Sequence, residues 1–325
     1  MGTARRGDGG VGLVMRVCIV GCGAVGSLFA AHLATLEDVE VWAYDVVEEH
    51  VAAINAAGLR LTGRADILAP VSARTDAGEI PPCEFGIVAT KAMYTQEAIT
   101  ASAHVFADGA VCSVQNGVGN EELIAEHVPR VIRGTTFPAG HVVAPGVVEM
   151  DTAGDTWIGP FEDRPASMEE VERLADAMTR GGMPTKALAD ARGAQWTKLI
   201  FNAASNPLGA LTGLTQGRLC ELPPTRALIS GLVGEGVAVA HALGITLDSD
   251  PEELIDYSAK VAYDHRASML QDALAHRQTE IDALNGGIVR FGAEHGVPTP
   301  LNEAIVALIL GMQRAWSSQP QAASE

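Results

Sequence analysis

Positively charged residues are scarce in this sequence: 22 lysines and arginines stand against 40 aspartates and glutamates, which leaves a formal net charge of -18. A surface of that sign repels the phosphate backbone of nucleic acids and the anionic surface of membranes. We therefore expect neither nucleic acid nor a membrane as a partner. An anionic small molecule would need a local lysine or arginine, so individual buried basic residues become candidates for a site.

Long apolar runs are absent as well, because Gly, Asp or Glu interrupts the longest stretches before they reach the roughly 20 residues that span a bilayer. Residues 1–14 are rich in Gly and Arg and lack the apolar segment of a secretory signal. We expect residues 1–14 to be a disordered extension and residues 317–325 a polar tail, both outside the fold. We also expect the protein to be cytoplasmic.

Cysteines and metal-binding motifs are few. The five cysteines are odd in number and widely scattered, which fits a reducing cytoplasm better than a disulfide framework. Cys18 and Cys22 lie close together but have no further ligands at metal-site spacing, so we interpret them as small core or loop residues. The nine histidines show neither an HExxH pattern nor paired spacing. No metal site is predicted.

What the sequence does contain is an alternation of β-rich and helical segments, in a chain of 325 residues that is long enough for two domains. Strands separated by helical stretches predict a parallel sheet. The predicted strands are Arg16–Val20, Val39–Tyr44, Phe85–Thr90, Ala110–Val114 and Val131–Thr136. Three further strands predict an antiparallel extension, and a helix follows them. These segments are His141–Val143, Val147–Asp151, Thr156–Ile158 and the helix Ser167–Arg180.

Strand signals vanish beyond about Asp190, and helical stretches follow one another. The predicted helices are Asp190–Asn206, Thr225–Ala242, Pro251–Leu274, Thr279–His295 and Leu301–Trp316. We therefore predict a first domain over residues 15–189 and an all-helical second domain over residues 190–316. The apolar faces of residues 225–242 and 301–312 would allow a homodimer.

A glycine-rich turn joins the first predicted strand to a small-residue helix. In a strand, turn and helix of this kind, Gly21 allows a tight turn, Gly23 lets the backbone approach a pyrophosphate, and Gly26 lets the helix pack on the strand. The helix N-terminus then offers free N–H groups to the phosphates. These three glycines, with Ala24 and Val25 between them, predict a Rossmann-type dinucleotide-binding domain in an α/β protein.

Asp45 ends the second predicted strand, 24 positions after Gly21. Its carboxylate would accept hydrogen bonds from the adenosine ribose and would repel a 2′-phosphate, which favours NAD over NADP. Glu48 and Glu49 follow without an arginine in reach along the chain, and a phosphate pocket without a cation is hard to build. Alternatively, Asp45 simply begins a solvated loop. NAD is the favoured cofactor, and NADP stays open.

The stretch from Gln195 to Leu208 places Lys198, Asn202 and Asn206 along one face of a helix. A lysine buried among Ala, Leu and Val costs several kcal/mol unless it is paired or its pKa falls, so this stripe indicates a site. The alternative is a surface face with a snorkelling lysine. Pro207 is expected to disturb the helix, because it lacks an N–H and restricts Asn206.

Motifs along nearly the whole chain, from about Met15 to Trp316, resemble those of the ketopantoate reductases. Besides the glycine turn, these are Lys91 directly after a strand, Gln115–Gly119, the stripe ending in Asn206 and Pro207, Ser268–Asp272, and Thr279–Asp282. Their order and spacing match together. The resemblance implies reduction of a 2-oxo acid by a nicotinamide cofactor.

The same resemblance implies individual roles. Lys198 would be the general acid, and Glu280 would orient the substrate and tune this lysine. Asn116 and Ser268 would hold the substrate carboxylate, and Asn202 and Asn206 its other polar groups. Lys91 and Asn116 would contact the cofactor. A carbonyl that becomes an alkoxide needs a proton or a positive charge nearby, and a lysine supplies both.

Ser268 and Glu280 are 12 residues apart, which on one straight helix leaves them about 120° out of phase. We therefore predict a break near residues 276–278 and a helix restart at Thr279, with Thr279 as N-cap and Asp282 at the third helical position. The family commonly has Gly-Arg-Pro here, whereas this chain reads Ala275–Gln278.

The residues after the second predicted strand also depart from the family. Typical members have an arginine there, whereas this chain has Val46. That supports NAD and leaves the substrate open. Ketopantoate is the first hypothesis. An NAD-linked D-2-hydroxyacid dehydrogenase acting on another branched or aromatic 2-oxo acid is the second. A non-catalytic dinucleotide sensor is the third, and the retained Lys198, Asn202 and Glu280 argue against it, because sensing needs no acid.

Overall fold

The computed structural model describes residues 14–318, with side chains to residue 316. The expectation of a disordered extension therefore falls on residues that lie, but for Val14, outside the described part. The polar tail lies outside it except for residues 317 and 318, which end the last helix. The strands are β1 Met15–Val20, β2 Val39–Tyr44, β3 Leu59–Gly63, β4 Ile67–Ala69, β5 Ser72–Arg74, β6 Phe85–Val88, β7 Ala110–Ser113, β8 Val131–Thr136, β9 Ala139–Ala144, β10 Val147–Thr152, β11 Thr156–Pro160 and β12 Thr185–Ala187.

The main sheet has eight strands in the order β12-β11-β8-β7-β6-β1-β2-β5. Six neighbouring strands of this sheet run parallel, namely β8, β7, β6, β1, β2 and β5. This arrangement confirms the predicted α/β fold of Rossmann type. The chain order reverses between β1 and β6, and the crevice beyond the carboxyl ends of strands at such a point is where ligands bind in open α/β sheets.

Residues of β1 alternate between two apolar layers. Val17 and Ile19 pack into a core on one face of the sheet, and Cys18 and Val20 pack into a core on the other. A strand whose successive side chains point to opposite faces must be apolar throughout when helices cover both faces. β1 is therefore a central strand covered on both faces, and the glycine turn follows directly at its carboxyl end.

The predicted antiparallel extension is divided between two sheets. β11 pairs antiparallel with β8 at the edge of the main sheet, as predicted. The hairpin of β9 and β10 instead joins β3 and β4 in a separate four-stranded sheet, in the order β4-β3-β10-β9. β3 and β4 were not predicted, and β10 pairs with β3 through a register that no local pattern encodes.

Beyond β12 the described residues contain helices but no strands, as predicted. The helices are α1 Ala24–Leu33, α2 Glu48–Ala57, α3 Thr95–Ser102, α4 Asn120–Ala125, α5 Met168–Arg180, α6 Arg192–Thr212, α7 Gln216–Glu221, α8 Pro223–Ala242, α9 Pro251–Val261, α10 Ser268–Leu274, α11 Asn285–Glu294 and α12 Pro300–Ser318. Within residues 14–318, none of these helices has the length and apolarity to cross a membrane.

The prediction of one helix over Pro251–Leu274 is wrong. The chain forms α9 and α10 with a break between them, because backbone groups in the break bind another segment. The carbonyls of Tyr263 and His265 accept hydrogen bonds from the amides of Gly217 and Gln216, at 2.9 and 3.1 Å. Carbonyls that serve the start of α7 are not available to continue a helix.

The prediction of a helix restart at Thr279 is also wrong, because residues 280–284 form turns and α11 begins at Asn285. The side-chain oxygen of Thr279 has no hydrogen-bond partner among the described residues, so Thr279 does not act as the predicted N-cap. The carbonyl of Ala283, which a continuous helix would need, accepts instead from the amide of Val118 in the N-terminal domain at 3.0 Å. A contact between distant segments therefore decides where this helix starts.

Pro207 does not end α6, contrary to expectation, and the helix continues to Thr212. The carbonyl of Ala203, which would have bonded to the missing N–H, accepts a hydrogen bond from the side chain of Asn285 at 2.9 Å. A side chain from another helix thus replaces the lost backbone bond.

Candidate active site

The glycine turn between β1 and α1 has the shape of a phosphate cradle. Gly21 has a φ of +86°, in the left-handed region that favours glycine. A Cβ on Gly26 would overlap the carbonyl oxygen of Gly21, whereas a Cβ on Gly23 would meet nothing within 4 Å. Gly23 is the N-cap of α1, and no side chain in the described part of the chain accepts a hydrogen bond from the first amides of this helix. The free amides at Ala24 and Val25 and the open side at Gly23 therefore fit a dinucleotide pyrophosphate.

Asp45 lies against this turn. Its Oδ2 accepts a hydrogen bond from the amide of Cys22 at 2.8 Å, and its Oδ1 accepts from the amide of Val47 at 2.9 Å. The carboxylate is therefore held beside the glycines by the turn itself. This position is the one from which an acidic residue reaches the ribose hydroxyls in a Rossmann domain.

The sheet also brings a cation near Asp45 that distance along the chain conceals. β5 pairs with β2, and the amide of Asp45 donates to the carbonyl of Arg74 at 3.1 Å. The Arg74 guanidinium lies 5.2 Å from the ring centroid of Trp42 and 3.2 Å from a carboxylate oxygen of Glu79. Arg74 is thus adjacent to the end of β2, and the carboxylate of Glu79 is paired with it.

The loops after β6 and β7 meet at the carboxyl edge of the sheet, next to the glycine turn. Lys91 follows β6 and Asn116 follows β7, and the side chain of Gln115 ties the loops together through the carbonyl of Thr90 at 2.9 Å. Parallel strands end at the same edge, so this arrangement follows from the fold.

Lys198 reaches this edge from α6 and is half-buried between the two halves of the chain. Its Nζ donates to Asn116 Oδ1 at 2.8 Å and to the carbonyl of Thr136, and it lies 5.5 Å from the ring centroid of Phe137. Burial lowers the pKa of Lys198 to about 8, and the negative charge of Glu280 acts in the opposite direction and raises it. The ammonium therefore loses its proton around pH 8, well below the usual range of a lysine.

Glu280 completes the contact from the turn before α11. Its Oε2 accepts from Asn116 Nδ2 at 3.2 Å, and its Oε1 accepts from the amide of Ala92 at 3.1 Å. Asn116 thus bridges Lys198 and Glu280, with its oxygen on the ammonium and its nitrogen on the carboxylate. The structure therefore joins three of the sequence-predicted residues by direct hydrogen bonds.

The remaining predicted residues are near but not joined to Lys198 by hydrogen bonds in the described structure. Asn202 and Asn206 are buried, with 9% and 7% of their surface exposed, one and two turns further along α6. Ser268 is the exposed first residue of α10, a helix that packs on α6. Two amides buried next to a lysine in this way can hold the polar groups of a small substrate.

Sequence reasoning missed three contributors. Asp272 of α10, only 6% exposed, forms an ion pair with Lys91 at 2.6 Å across the two halves of the chain. It lies within the Ser268–Asp272 motif, whose spacing was the available signal. The carbonyl of Thr136 and the ring of Phe137 also contact Lys198, and a backbone carbonyl has no signal in the sequence.

A lysine with a lowered pKa at the sheet edge that also carries the glycine turn can act as the acid in the reduction of a carbonyl by a nicotinamide cofactor. Fold and site together therefore place the chain among the nicotinamide-dependent oxidoreductases with two domains.

Comparison with known proteins identifies the family. Residues 17–163 match ketopantoate reductase PanE/ApbA, and residues 190–313 match the C-terminal part of the same family. A 2-dehydropantoate 2-reductase from Pyrococcus abyssi is 34% identical over 301 residues, which cover 92% of this chain and 98% of that protein. A 2-dehydropantoate 2-reductase from Halobacterium salinarum is 32% identical, over 92% of this chain and 99% of that protein. The chain belongs to the ketopantoate reductase family.

Solved structures agree with this assignment. The chain is similar to a PanE/ApbA family ketopantoate reductase from Ralstonia eutropha, with a TM-score of 0.85 and 32% identity over 93% of this chain and 100% of that one. It is also similar to a D-mandelate dehydrogenase solved in a ternary structure with NADH and anilino(oxo)acetate. That match has a TM-score of 0.84 and 25% identity over 93% of this chain and 100% of that one.

Proposed function

We propose that this protein reduces a 2-oxo acid to a 2-hydroxy acid with a nicotinamide cofactor, and that ketopantoate is its substrate. The observation that carries the proposal is the Lys198 ammonium, held at the carboxyl edge of the sheet by Asn116 and Thr136. Relatives from Pyrococcus abyssi and Halobacterium salinarum that bear the name 2-dehydropantoate 2-reductase support ketopantoate as the first substrate to test.

In this proposal Lys198 holds the proton at Nζ and delivers it to the oxygen of the 2-oxo group. A nicotinamide dinucleotide, when bound at the glycine turn, would supply the hydride that the carbonyl carbon accepts. Asn116 orients the ammonium through its oxygen, and the charge of Glu280 favours the protonated form. The ammonium also stabilises the negative charge that develops on the carbonyl oxygen. The general acid and the electrostatic stabiliser are therefore the same residue.

The other polar residues bind and orient the substrate. Asn116 and Ser268 are proposed to hold the carboxylate, and Asn202 and Asn206 the remaining polar groups. In a protein with a net charge of -18, the ammonium is also the local positive charge that attracts an anionic substrate into the cleft.

NAD is the proposed cofactor. The Asp45 carboxylate, held beside the glycine turn by the amide of Cys22, would accept hydrogen bonds from the ribose and repel a 2′-phosphate. Arg74 is the nearby cation that would favour NADP, but Glu79 already pairs with it. Gly21, Gly23, Ala24, Val25, Gly26 and Lys91 are proposed to complete the cofactor site.

A second candidate function is that of an NAD-linked D-2-hydroxyacid dehydrogenase acting on an aromatic or branched 2-oxo acid. The likeness to D-mandelate dehydrogenase with bound NADH favours it, as does the position of Asp45. The two candidates share the reaction and differ in the side chain of the acid. The substrate profile therefore discriminates between them.

The test is the oxidation of NADH and of NADPH with a panel of 2-oxo acids that includes ketopantoate, branched acids and aromatic acids. We expect the highest kcat/KM with ketopantoate and NADH. Lys198→Ala should lower turnover by about 100-fold or more without loss of cofactor binding. Lys260→Ala is the matched control, because that lysine is exposed on α9. A best substrate with an aromatic side chain would favour the second candidate, and no reduction of any acid would leave only a dinucleotide-binding sensor.

Three further expectations remain proposals. The cysteines are free thiols in the described structure, in keeping with a cytoplasmic location. The limits of the dinucleotide-binding domain at residues 15–189 and of the substrate domain at residues 190–316 are proposed from the change between β12 and α6. A homodimer is proposed from the apolar helices alone.

A further inference from the structure

The helix α6, which carries Lys198, contains a proline directly after Asn206, one of the two asparagines proposed to bind the substrate. Pro207 has no N–H, so the carbonyl of Ala203, four residues earlier, has no helical partner. Ala203 lies directly after Asn202 and is 1% exposed, so water cannot replace the missing donor. A buried carbonyl without a partner is costly, and helices commonly kink at proline for this reason.

Asn285, the first residue of α11, supplies the missing donor. Its Nδ2 donates to the carbonyl of Ala203 at 2.9 Å and to Asn302 Oδ1 at 2.9 Å. Asn302 Nδ2 in turn donates to Glu235 Oε2 at 2.7 Å. The two side-chain amides lie between two acceptors, the backbone carbonyl of Ala203 and the carboxylate of Glu235. If the oxygen and nitrogen of either amide were exchanged, its oxygen would face another acceptor, so the orientation of both side-chain amides is determined.

This network is buried throughout its amide part, since Asn285 and Asn302 are both 0% exposed. Glu235 is also fixed, because it accepts from the amides of Leu301 and Asn302 at the start of α12, at 2.8 and 2.9 Å. Three helices, α8, α11 and α12, therefore hold one side chain against α6. Asn285 is held through its Nδ2, which donates two hydrogen bonds, whereas its buried Oδ1 has no hydrogen-bond partner in the described structure.

Asn285 also lies at the end of the turn that presents Glu280. The amides of Ala283 and Leu284 both donate to the carbonyl of Glu280, at 3.1 and 3.0 Å, directly before Asn285. The same residue thus contacts the helix that bears Lys198 and follows the turn that bears Glu280. Its position sets the two elements relative to each other.

We propose that Asn285 is a positioning residue, which rests on the function proposed above: it keeps α6 helical through Pro207 and so holds Asn202 and Asn206 in line with Lys198. Loss of its amide leaves the Ala203 carbonyl unpaired and lets α6 bend between the two asparagines. Lys198 lies before the bend and keeps its contacts. Substrate binding is therefore affected more than proton donation.

The test is a double-mutant cycle between Asn285→Ala and Pro207→Ala, in the full chain. In Pro207→Ala the restored N–H donates to the Ala203 carbonyl, and Asn285 is no longer needed for that bond. We expect Asn285→Ala alone to raise the KM for the 2-oxo acid by about 10-fold, to change kcat less and to leave dinucleotide affinity unchanged. We also expect Tm to fall by about 3–8 °C. Both effects should shrink strongly in the Pro207→Ala background.

Pro223→Ala provides the matched control background, because Pro223 stands at the start of α8, where a proline removes no helical bond. There Asn285→Ala should keep its full effect. If Asn285→Ala alone does not fold and the double variant with Pro207→Ala does, the proposal is supported. Equal effects in all three backgrounds, or an unchanged KM, would overturn it. If the unmodified enzyme reduces no 2-oxo acid, the proposed function fails. The Tm values of the double-mutant cycle then still show whether the hydrogen bond from Asn285 to Ala203 stabilises α6.

Discussion

The pKa of Lys198 leads to a prediction about the pH profile of the enzyme. Burial lowers this pKa to about 8, and a general acid works only in its protonated form. The protonated fraction is then about 90% at pH 7, half at pH 8 and about 10% at pH 9. We expect kcat/KM for reduction to be level below about pH 7 and to fall about tenfold per pH unit above pH 8.

Glu280→Gln is the perturbation that tests the origin of this pKa. The charge of Glu280 raises the pKa of Lys198, so its removal must lower that pKa and move the descending limb of the profile to lower pH. Glutamine keeps the size of the side chain but accepts only one of the two hydrogen bonds from Ala92 and Asn116. The level part of the profile should therefore drop as well.

The assay is kcat/KM for the 2-oxo acid between about pH 6 and pH 10 at constant ionic strength, for the unmodified enzyme and for Glu280→Gln. Glu253→Gln, which removes an exposed carboxylate from α9, should leave the limb in place. Oxidation of the 2-hydroxy acid needs the neutral lysine as base, so its rate should rise through the same pH range. A limb that stays in place or moves to higher pH in Glu280→Gln would refute the assignment of the acid to Lys198.

Three further predictions follow from single contacts. Gly26→Ala places a methyl group against a carbonyl of the glycine turn and should weaken dinucleotide binding in calorimetry by at least about 10-fold; Gly311→Ala, with open space around it, should not. Asp45→Ser should narrow the kcat/KM ratio of NADH to NADPH by about 10-fold, and an unchanged ratio would mean that this residue does not read the ribose. Asp272→Asn removes the carboxylate that pairs with both Lys91 and Arg277 and should lower Tm by about 2–4 °C, less at high salt, whereas a loss independent of salt would contradict an ionic role.

Local patterns predicted the parts of this molecule that depend on neighbours in sequence. The turn from Gly21 to Gly26 was predictable because strand, glycines and helix are consecutive. The stripe of Lys198, Asn202 and Asn206 was predictable because a helix places residues four apart on one face. The loops that carry Lys91 and Asn116 meet because parallel strands end at one edge of a sheet.

The parts that could not be predicted depend on hydrogen bonds between distant segments. Pro207 predicts a disturbed helix in any local scheme, and only Asn285, 78 positions further along the chain, cancels the effect. The start of α11 was misplaced because Val118 takes the carbonyl of Ala283. Arg74 is close to Asp45 only through the pairing of β5 with β2. No periodicity in the sequence encodes these pairs.

The helix α10 ends in a C-terminal capping motif that usually contains glycine, although this chain has no glycine there. The amide of Arg277 donates to the carbonyl of Asp272 at 2.8 Å, and the amide of His276 donates to the carbonyl of Ala273 at 3.1 Å. This pair of bonds is a Schellman motif, in which glycine normally takes the left-handed position. Here His276 takes it, with a φ of +49°, a conformation that costs a residue with a side chain about 1–2 kcal/mol.

Two contacts offset that cost. The His276 ring stacks on Trp316 with centroids 5.3 Å apart, and Arg277 Nε donates to Asp272 Oδ1 at 3.1 Å. The second contact ties the turn to the carboxylate that pairs with Lys91 at the edge of the site. Residues 275–278, which depart from the family's Gly-Arg-Pro, therefore still end α10 and still hold Asp272 toward Lys91 in the loop after β6, through side-chain contacts in place of glycine and proline.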